Sequence, residues 1–316
     1  MARILVTGSS GFVGHHLVSR LIGDGHSLNL ANRTLVDPAT AGHDGHAFSV
    51  GDIGPETDWR AALAGCHTVI HLAGQTASTG PGDTVCERVN ALGTRKLTEQ
   101  AADAGVSTFV FLSSVMALVD NWSAAVVTDA TASVATSPYG MSKRHAEQHV
   151  SAFVRQGRRS VSLRTPMIYG AGAKGNWRRL QQLAASGLPL PFASIANRRT
   201  LASVGNVVDA IARVVSASPT GPPGTYLVGD EDAVSLADIV RLLRDGRRRS
   251  SRLVSVPPAL LQAPLRLAGL NAIANSLFAN LELDSSGFRT AFDWSPPQRA
   301  ADAIRLAGAS TSRDAG

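Results

Sequence analysis

Cysteine is scarce: Cys66 and Cys86 are the only two in 316 residues. Two thiols in a chain this long make no disulfide framework, and they read as reduced core residues of an intracellular protein. No cysteine–histidine spacing suited to zinc occurs, so no metal site is expected. Aromatic residues are 5% of the chain and form no RNA-binding motif. No uninterrupted apolar run is long enough to span a bilayer. Only Met1-Ala2-Arg3 precedes the first strand-like run, so no leader is expected and the chain reads as soluble and cytoplasmic. Acidic residues are outnumbered: 24 Asp and Glu against 30 Lys and Arg leave a net charge of +6. A basic balance suits nucleic acid, a membrane surface or a small anionic ligand. The arginines are spread along the chain, apart from the run Arg247-Arg248-Arg249. With no nucleic-acid motif, no nucleic-acid partner is expected, and a small anionic ligand fits the charge as well.

What the chain does have is alternation. Hydrophobic residues are 44% and charged residues 17%, a globular balance with material for a sizeable core. Apolar runs predict strands over 3–8, 27–33, 46–53, 67–74, 108–114 and 161–165. Helical spacing between them predicts helices over 12–24, 59–64, 85–104 and 139–156, most closed by a glycine. Such alternation predicts an α/β fold, a doubly wound parallel sheet covered on both faces. After Pro166 the rhythm weakens and glycine and proline become frequent. Helices are expected over 177–185, 206–217, 236–244 and 258–268, with a late strand over 226–229. This divides the chain into a sheet domain over 1–166 and a smaller region over 167–307, some of it returning to the sheet. The stretch 308–316 reads as a disordered tail.

The first strand runs into Gly8-x-x-Gly11-x-x-Gly14, which then opens a helix. Gly8 permits a tight turn, Gly11 lets the backbone approach a pyrophosphate, and Gly14 lets the helix sit close to the strand. The helix N-terminus then offers free N–H groups to the phosphates. A second motif is Ser137-Pro138-Tyr139-Gly140-Met141-Ser142-Lys143. Tyr139 and Lys143 are four apart and share one helix face. An ammonium there stabilises a phenolate and brings the tyrosine toward working range as an acid/base. Upstream, Ser113-Ser114 end the fifth strand, at the edge of the sheet where ligands of doubly wound folds bind.

Together these residues resemble the extended short-chain dehydrogenase/reductase family, also called the NAD-dependent epimerase/dehydratase family. The resemblance implies a Rossmann domain with a smaller C-terminal substrate domain, NAD(P) as cofactor, and catalysis by Ser114, Tyr139 and Lys143. Ser114 would orient a substrate oxygen, Tyr139 exchange its proton, and Lys143 hold the nicotinamide ribose. Phe12 and Val13 of the glycine turn join the implied cofactor contacts. Gly51-Asp52-Ile53 resembles the acid-plus-apolar pair at adenine, here Asp52 and Ile53. His71-Leu72-Ala73-Gly74 resembles the cofactor-lining exit of the fourth strand, contributed by Leu72, Ala73 and Gly74. Asn90 and Pro166 fall in similar family segments and are expected near the cofactor. The second strand ends Asn32-Arg33 with no acid, which favours the 2′-phosphate of NADP over NAD.

Likeness to UDP-hexose 4-epimerases and 4-keto-sugar reductases implies a nucleotide-linked sugar as substrate. Asn176 and Arg199 would contact its diphosphate, with Ser113 also near the substrate. The Asp-Glu pair of sugar 4,6-dehydratases is replaced by Val115-Met116, so dehydration is disfavoured and epimerisation or keto reduction remains. Reduction of a non-sugar carbonyl on the same fold is the alternative. A cofactor-sensing protein without catalysis would not need the Ser114–Tyr139–Lys143 set. A homodimer through helices 85–104 and 139–156 is implied by the resemblance. The apolar stretch 256–283 is expected to pack over the substrate cleft or a second copy, the alternative being a bilayer surface.

Overall fold

A computed structural model describes residues 2–35, 37, 45–76, 83–154, 157–217 and 220–310. The strands are β1 (Arg3–Thr7), β2 (Ser27–Asn32), β3 (His46–Ser49), β4 (Thr68–His71), β5 (Thr108–Ser114), β6 (Arg159–Thr165), β7 (Ile168–Tyr169), β8 (Ala202–Ser203) and β9 (Gly224–Leu227). The described helices begin with α1 (Phe12–Gly23), α2 (Arg60–Leu63), α3 (Asp83–Cys86), α4 (Gly93–Asp103) and α5 (Pro138–Ala152). They continue with α6 (Asn176–Ala185), α7 (Val204–Ser216), α8 (Leu236–Gly246) and α9 (Pro258–Leu267). The last three are α10 (Asn271–Phe278), α11 (Ser286–Phe292) and α12 (Ala300–Ser310).

Seven strands form one parallel sheet in the order β3-β2-β1-β4-β5-β6-β9. The order reverses between β1 and β4, which opens a crevice at their carboxyl ends. Each face of the sheet is buried under helices, so the central strands read as nearly continuous apolar runs. On one face Val13, Leu17 and Leu21 of α1 and Val207, Ile211 and Val214 of α7 pack on Ile4, Val6 and Val110. On the other, Leu97 of α4 and Ala146 and Val150 of α5 pack on Leu5, Val69, Phe109 and Phe111. The smaller lobe joins α6, α8 and α12 around Tyr169, Trp177, Leu243 and Ile304. The two-residue strands β7 and β8 pair in parallel beside it.

Several sequence expectations are corrected. The helix expected over 85–104 is interrupted: α3 passes through a π-helical turn, Glu87–Leu92, before α4. The strand expected over 46–53 stops at Ser49, and helix α5 stops at Ala152. The disordered tail expected over 308–316 does not begin at 308. Gly308–Ser310 are the last turn of α12, where a Cβ on Gly308 would collide with the Leu243 carbonyl. Residues 311–316 lie outside the described residues. Helices α10, α11 and α12 were not expected.

Candidate active site

The turn after β1 needs its glycines at two places. Gly8 has φ +71°, and a Cβ there would fall 2.9 Å from the Ala73 backbone at the exit of β4. A Cβ on Gly14 would meet the Gly8 carbonyl and come within 2.7 Å of Ser9 backbone atoms. Gly14 therefore lets the helix approach the turn itself. The Gly11 N–H donates to the Gly8 carbonyl at 3.0 Å. No side chain caps α1 and no acid stands in its first turn, which leaves its N-terminus suited to an anion. Val13 is buried in the core and Phe12 packs inward, so both offer the turn their backbone. The turn has a second support that the motif does not reveal. Asn32, buried at the end of β2, accepts from the Ser10 N–H and hydroxyl, each at 3.1 Å. Its amide donates to the Ser9 hydroxyl at 2.7 Å. Arg33 turns outward and stands 3.8 Å from Asp52, both side chains nearly four-fifths exposed at 79% and 78%. Ile53 lies half-buried against Gly93.

A directed chain of hydrogen bonds ties this turn to the π-helical turn. The Ala73 N–H donates to Thr7 Oγ1 at 3.3 Å, and Thr7 Oγ1 lies 2.7 Å from His71 Nδ1. His71 Nε2 lies 3.0 Å from Thr94 Oγ1, which donates to the Asn90 carbonyl at 2.5 Å. Because Thr94 donates onward, His71 must donate from Nε2 and accept at Nδ1, the neutral ring. Burial, with a smaller contribution from the Lys143 charge, pushes the His71 pKa down to about 3, consistent with that tautomer.

Asn90 sits within the π turn. Its amide donates to the Gln75 carbonyl at 3.0 Å and to the Ser142 hydroxyl at 3.0 Å, and its oxygen accepts from the Gln75 N–H at 2.8 Å. Asn90 is 1% exposed with both amide hydrogens used. It clasps the β4 exit to α5. Leu72 and Ala73 are half-buried there, while Gly74 is exposed, with Asn90 Oδ1 and Lys143 Nζ where a Cβ would stand. Pro166 is buried at the exit of β6 beside Gly229.

Helix α5 starts at a Ser137 cap, whose hydroxyl accepts from the Gly140 N–H at 3.2 Å, with Pro138 in its first turn. Gly140 lets this helix press on the short 3₁₀ turn Val115–Ala117, since a Cβ would strike the Met116 carbonyl. That contact brings Tyr139 against Ser114. Burial raises the phenol pKa, and the Ser114 hydroxyl hydrogen-bonded to it opposes the rise. Ser114 is 9% exposed and also accepts from the Met116 N–H at 3.2 Å. One helical turn on, the Lys143 ammonium donates to the Leu112 carbonyl at 3.0 Å and stands 4.7 Å from the Phe111 ring centroid. Burial lowers its pKa to about 8, with Glu147 acting in the other direction.

Ser113 does not join this group. Its hydroxyl donates to Glu147 Oε1 at 2.6 Å, in a buried pair where Arg164 grips Glu147 with two bonds at 2.9 and 2.7 Å. The expectation that Ser113 contacts substrate is corrected: α5 covers it. Asn176 begins α6 and is exposed, with Arg179 Nη1 donating to it at 3.4 Å.

Arg199 is buried, and its guanidinium meets only neutral acceptors. It donates to the carbonyl of Ala279 at 2.9 Å and Asn275 at 3.4 Å, beside the C-terminal end of α10. It also donates to the side chain of Asn121 at 2.9 Å and to that residue's carbonyl at 3.2 Å. Among the described residues it has no carboxylate partner, and burial lowers its pKa to about 10. The next residue back, Asp120, accepts from the Thr136 hydroxyl at 2.7 Å and from the Ser137 N–H at 3.2 Å. Arg199 is thus two links from the cap of the helix that carries Tyr139. Neither Asn121 nor Asp120 carried a motif in the sequence.

A parallel sheet with a glycine turn at its switch point, and a serine at the end of β5 beside a tyrosine and a lysine early in α5, are features of a short-chain dehydrogenase/reductase fold. The chain belongs to the NAD dependent epimerase/dehydratase family, whose profile matches residues 4–229. It is 33% identical over 308 residues to a UDP-glucose 4-epimerase of Vibrio cholerae, covering 93% of this chain and 91% of that one. It is 29% identical over 256 residues to a 3-beta-hydroxysteroid dehydrogenase of Mycolicibacterium neoaurum, covering 76% and 69%. Among solved structures, a UDP-glucuronic acid 4-epimerase from Bacillus cereus in complex with NAD shares the fold with TM-score 0.79. That match is 18% identical and covers 99% of this chain and 100% of the other.

Proposed function

We propose that this chain is an NAD(P)-dependent enzyme that moves a hydride at C4 of a nucleotide-linked hexose, with 4-epimerisation as its reaction. The observation that carries this reading is Arg199, a buried cation with only neutral partners, linked through Asn121 and Asp120 to the helix of Tyr139 and Lys143. A diphosphate would supply the missing anion; both terminal nitrogens of Arg199 already donate within the chain, so its charge is what favours that ligand. The similarity to a UDP-glucose 4-epimerase over nearly the whole chain supports the same substrate class. A carbonyl compound without phosphate would leave Arg199 unused, which ranks the non-sugar reading second.

A dinucleotide with its pyrophosphate at the glycine turn would supply the hydride acceptor and donor through its nicotinamide. The chain's own groups handle the proton. Ser114 holds the C4 oxygen, and Tyr139 takes the hydroxyl proton and returns it. Lys143 keeps a positive charge beside the resulting phenolate and holds the cofactor ribose. In epimerisation hydride and proton both return, so no net oxidation occurs. Val115 and Met116 offer no carboxylate for a further proton transfer, which agrees with C4 chemistry without dehydration.

Arg33 favours a second reading. It is exposed at the end of β2, where it can meet a phosphate on the adenine ribose, and an exchanging NADPH suits a 4-keto-sugar reductase. Releasing nucleotide from the purified, denatured protein separates the two. Near-stoichiometric NAD, with interconversion of UDP-glucose and UDP-galactose, supports the epimerase. An empty protein that binds NADPH over NADH and does not interconvert them supports the reductase.

A further inference from the structure

We propose that the α9–α10 hairpin seats this protein on an anionic lipid surface. No residue of α9 is buried, and in α10 only Ala274 is. The hairpin's inner side is anchored: Leu261, Leu277 and Phe278 pack on Leu190, Ile195, Leu236 and Val240. Its outer side carries Leu260, Leu267, Leu270 and Ile273, exposed by 66%, 89%, 42% and 47%. Helices joined to a core on one side and this apolar on the other have a second face to cover.

Charge identifies what covers it. From Gly246 to Leu281 the chain has no Asp or Glu and five arginines: Arg247, Arg248, Arg249, Arg252 and Arg266. The last four are exposed. The arginine segment runs beside the hairpin's base, since Leu253 bridges to Leu190 and the hydroxyls of Ser194 and Ser255 lie 2.6 Å apart. An apolar helical face rimmed by arginine and free of carboxylates suits the boundary between anionic headgroups and acyl chains. A second copy suits it less. In a two-fold contact the same patch meets itself, which sets one arginine rim against the other. No described helix is long and apolar enough to cross a membrane, so the seating is on the surface and not through it. The seat lies close to the candidate substrate arginine, because Arg199 donates to carbonyls at the end of α10.

Co-sedimentation of the full chain with vesicles tests the proposal. At low salt the protein should sediment with phosphatidylglycerol vesicles roughly tenfold better than with phosphatidylcholine vesicles, and high salt should release it. The variant Leu260→Ser/Leu267→Ser/Ile273→Ser should lose roughly tenfold of that binding while turning over soluble substrate as before. Arg248→Gln/Arg252→Gln/Arg266→Gln should lose the preference for anionic lipid. Absence of binding at low salt overturns the proposal, as does a leucine variant that sediments like the wild type. A wild-type dimer in sedimentation velocity that this variant converts to monomer also overturns it, in favour of a second copy.

Discussion

Lys143 holds an ammonium in a buried place, against a carbonyl and an aromatic face. Its ordinary pKa of 10.5 falls to about 8 there because burial disfavours the charged form. If Lys143 steadies a Tyr139 phenolate as proposed, that charge is lost as pH rises past 8. The rate at saturating substrate should fall on that alkaline side, and Glu147→Gln should move the fall to lower pH, because Glu147 raises the Lys143 pKa. A pH–rate profile of both proteins checks it. Tyr139→Phe should lower kcat by a factor on the order of 10²–10⁴, the range for general acid–base catalysis, while cofactor affinity is kept. Single-turnover kinetics with fluorescence-monitored cofactor binding would show it; near-normal turnover would remove Tyr139 from the chemistry. His71 gives a prediction of stability. Its folded pKa of about 3 is below its ordinary 6.5, so between those values the unfolded chain binds the extra proton. Stability is complete above about 6.5 and declines as pH falls toward 3. Denaturant melts of wild type and His71→Asn across that window should show a shallower pH slope for the variant.

At the scale of elements, the sheet and the four helices expected between its first six strands were legible because strand and helix periods differ and glycines close the helices. The spacing of Gly8 and Gly14 was legible for the same reason: the turn's geometry admits no Cβ at either place. Gly14→Ala should push the turn off α1, destabilise the fold by about 1–3 kcal/mol and weaken cofactor binding, as thermal melts and titration would show. A variant that binds cofactor normally would mean that the turn adapts. The π turn at Glu87–Leu92 was not legible. One extra residue in a helix leaves the apolar spacing on either side nearly intact, so the stretch reads as one continuous helix. Asn32, Asn90 and the Thr7–His71–Thr94 chain escaped for another reason. Their partners are far apart in sequence and no short motif joins them. Ser113 misled because two serines end β5 and only the packing of α5 decides which one is covered.

On the scale of the whole molecule, two segments beyond 166 lie on the main sheet. β9 completes the main sheet beside β6, and α7 packs on α1 against the same sheet. The smaller lobe was the least legible part, since β7 and β8 have two residues each and its helices are short. A homodimer of the kind the family resemblance implies, through helices 85–104 and 139–156, would have exposed apolar side chains to cover, Val85 and Met141. Sedimentation velocity of Met141→Asp should then show a smaller species than the wild type.

Arg199 has a consequence for the protein before it meets any ligand. Carbonyl dipoles and one amide surround its charge, and no ion among the described residues balances it. Removing a cation from water without a counter-ion is unfavourable, so the empty chain retains electrostatic tension at one point of its interior. In the proposed reading, a diphosphate entering from solvent would discharge it. On that reading the substrate would also be a folding partner: the chain alone would be an incomplete ion pair, and the solution around it would hold the other half.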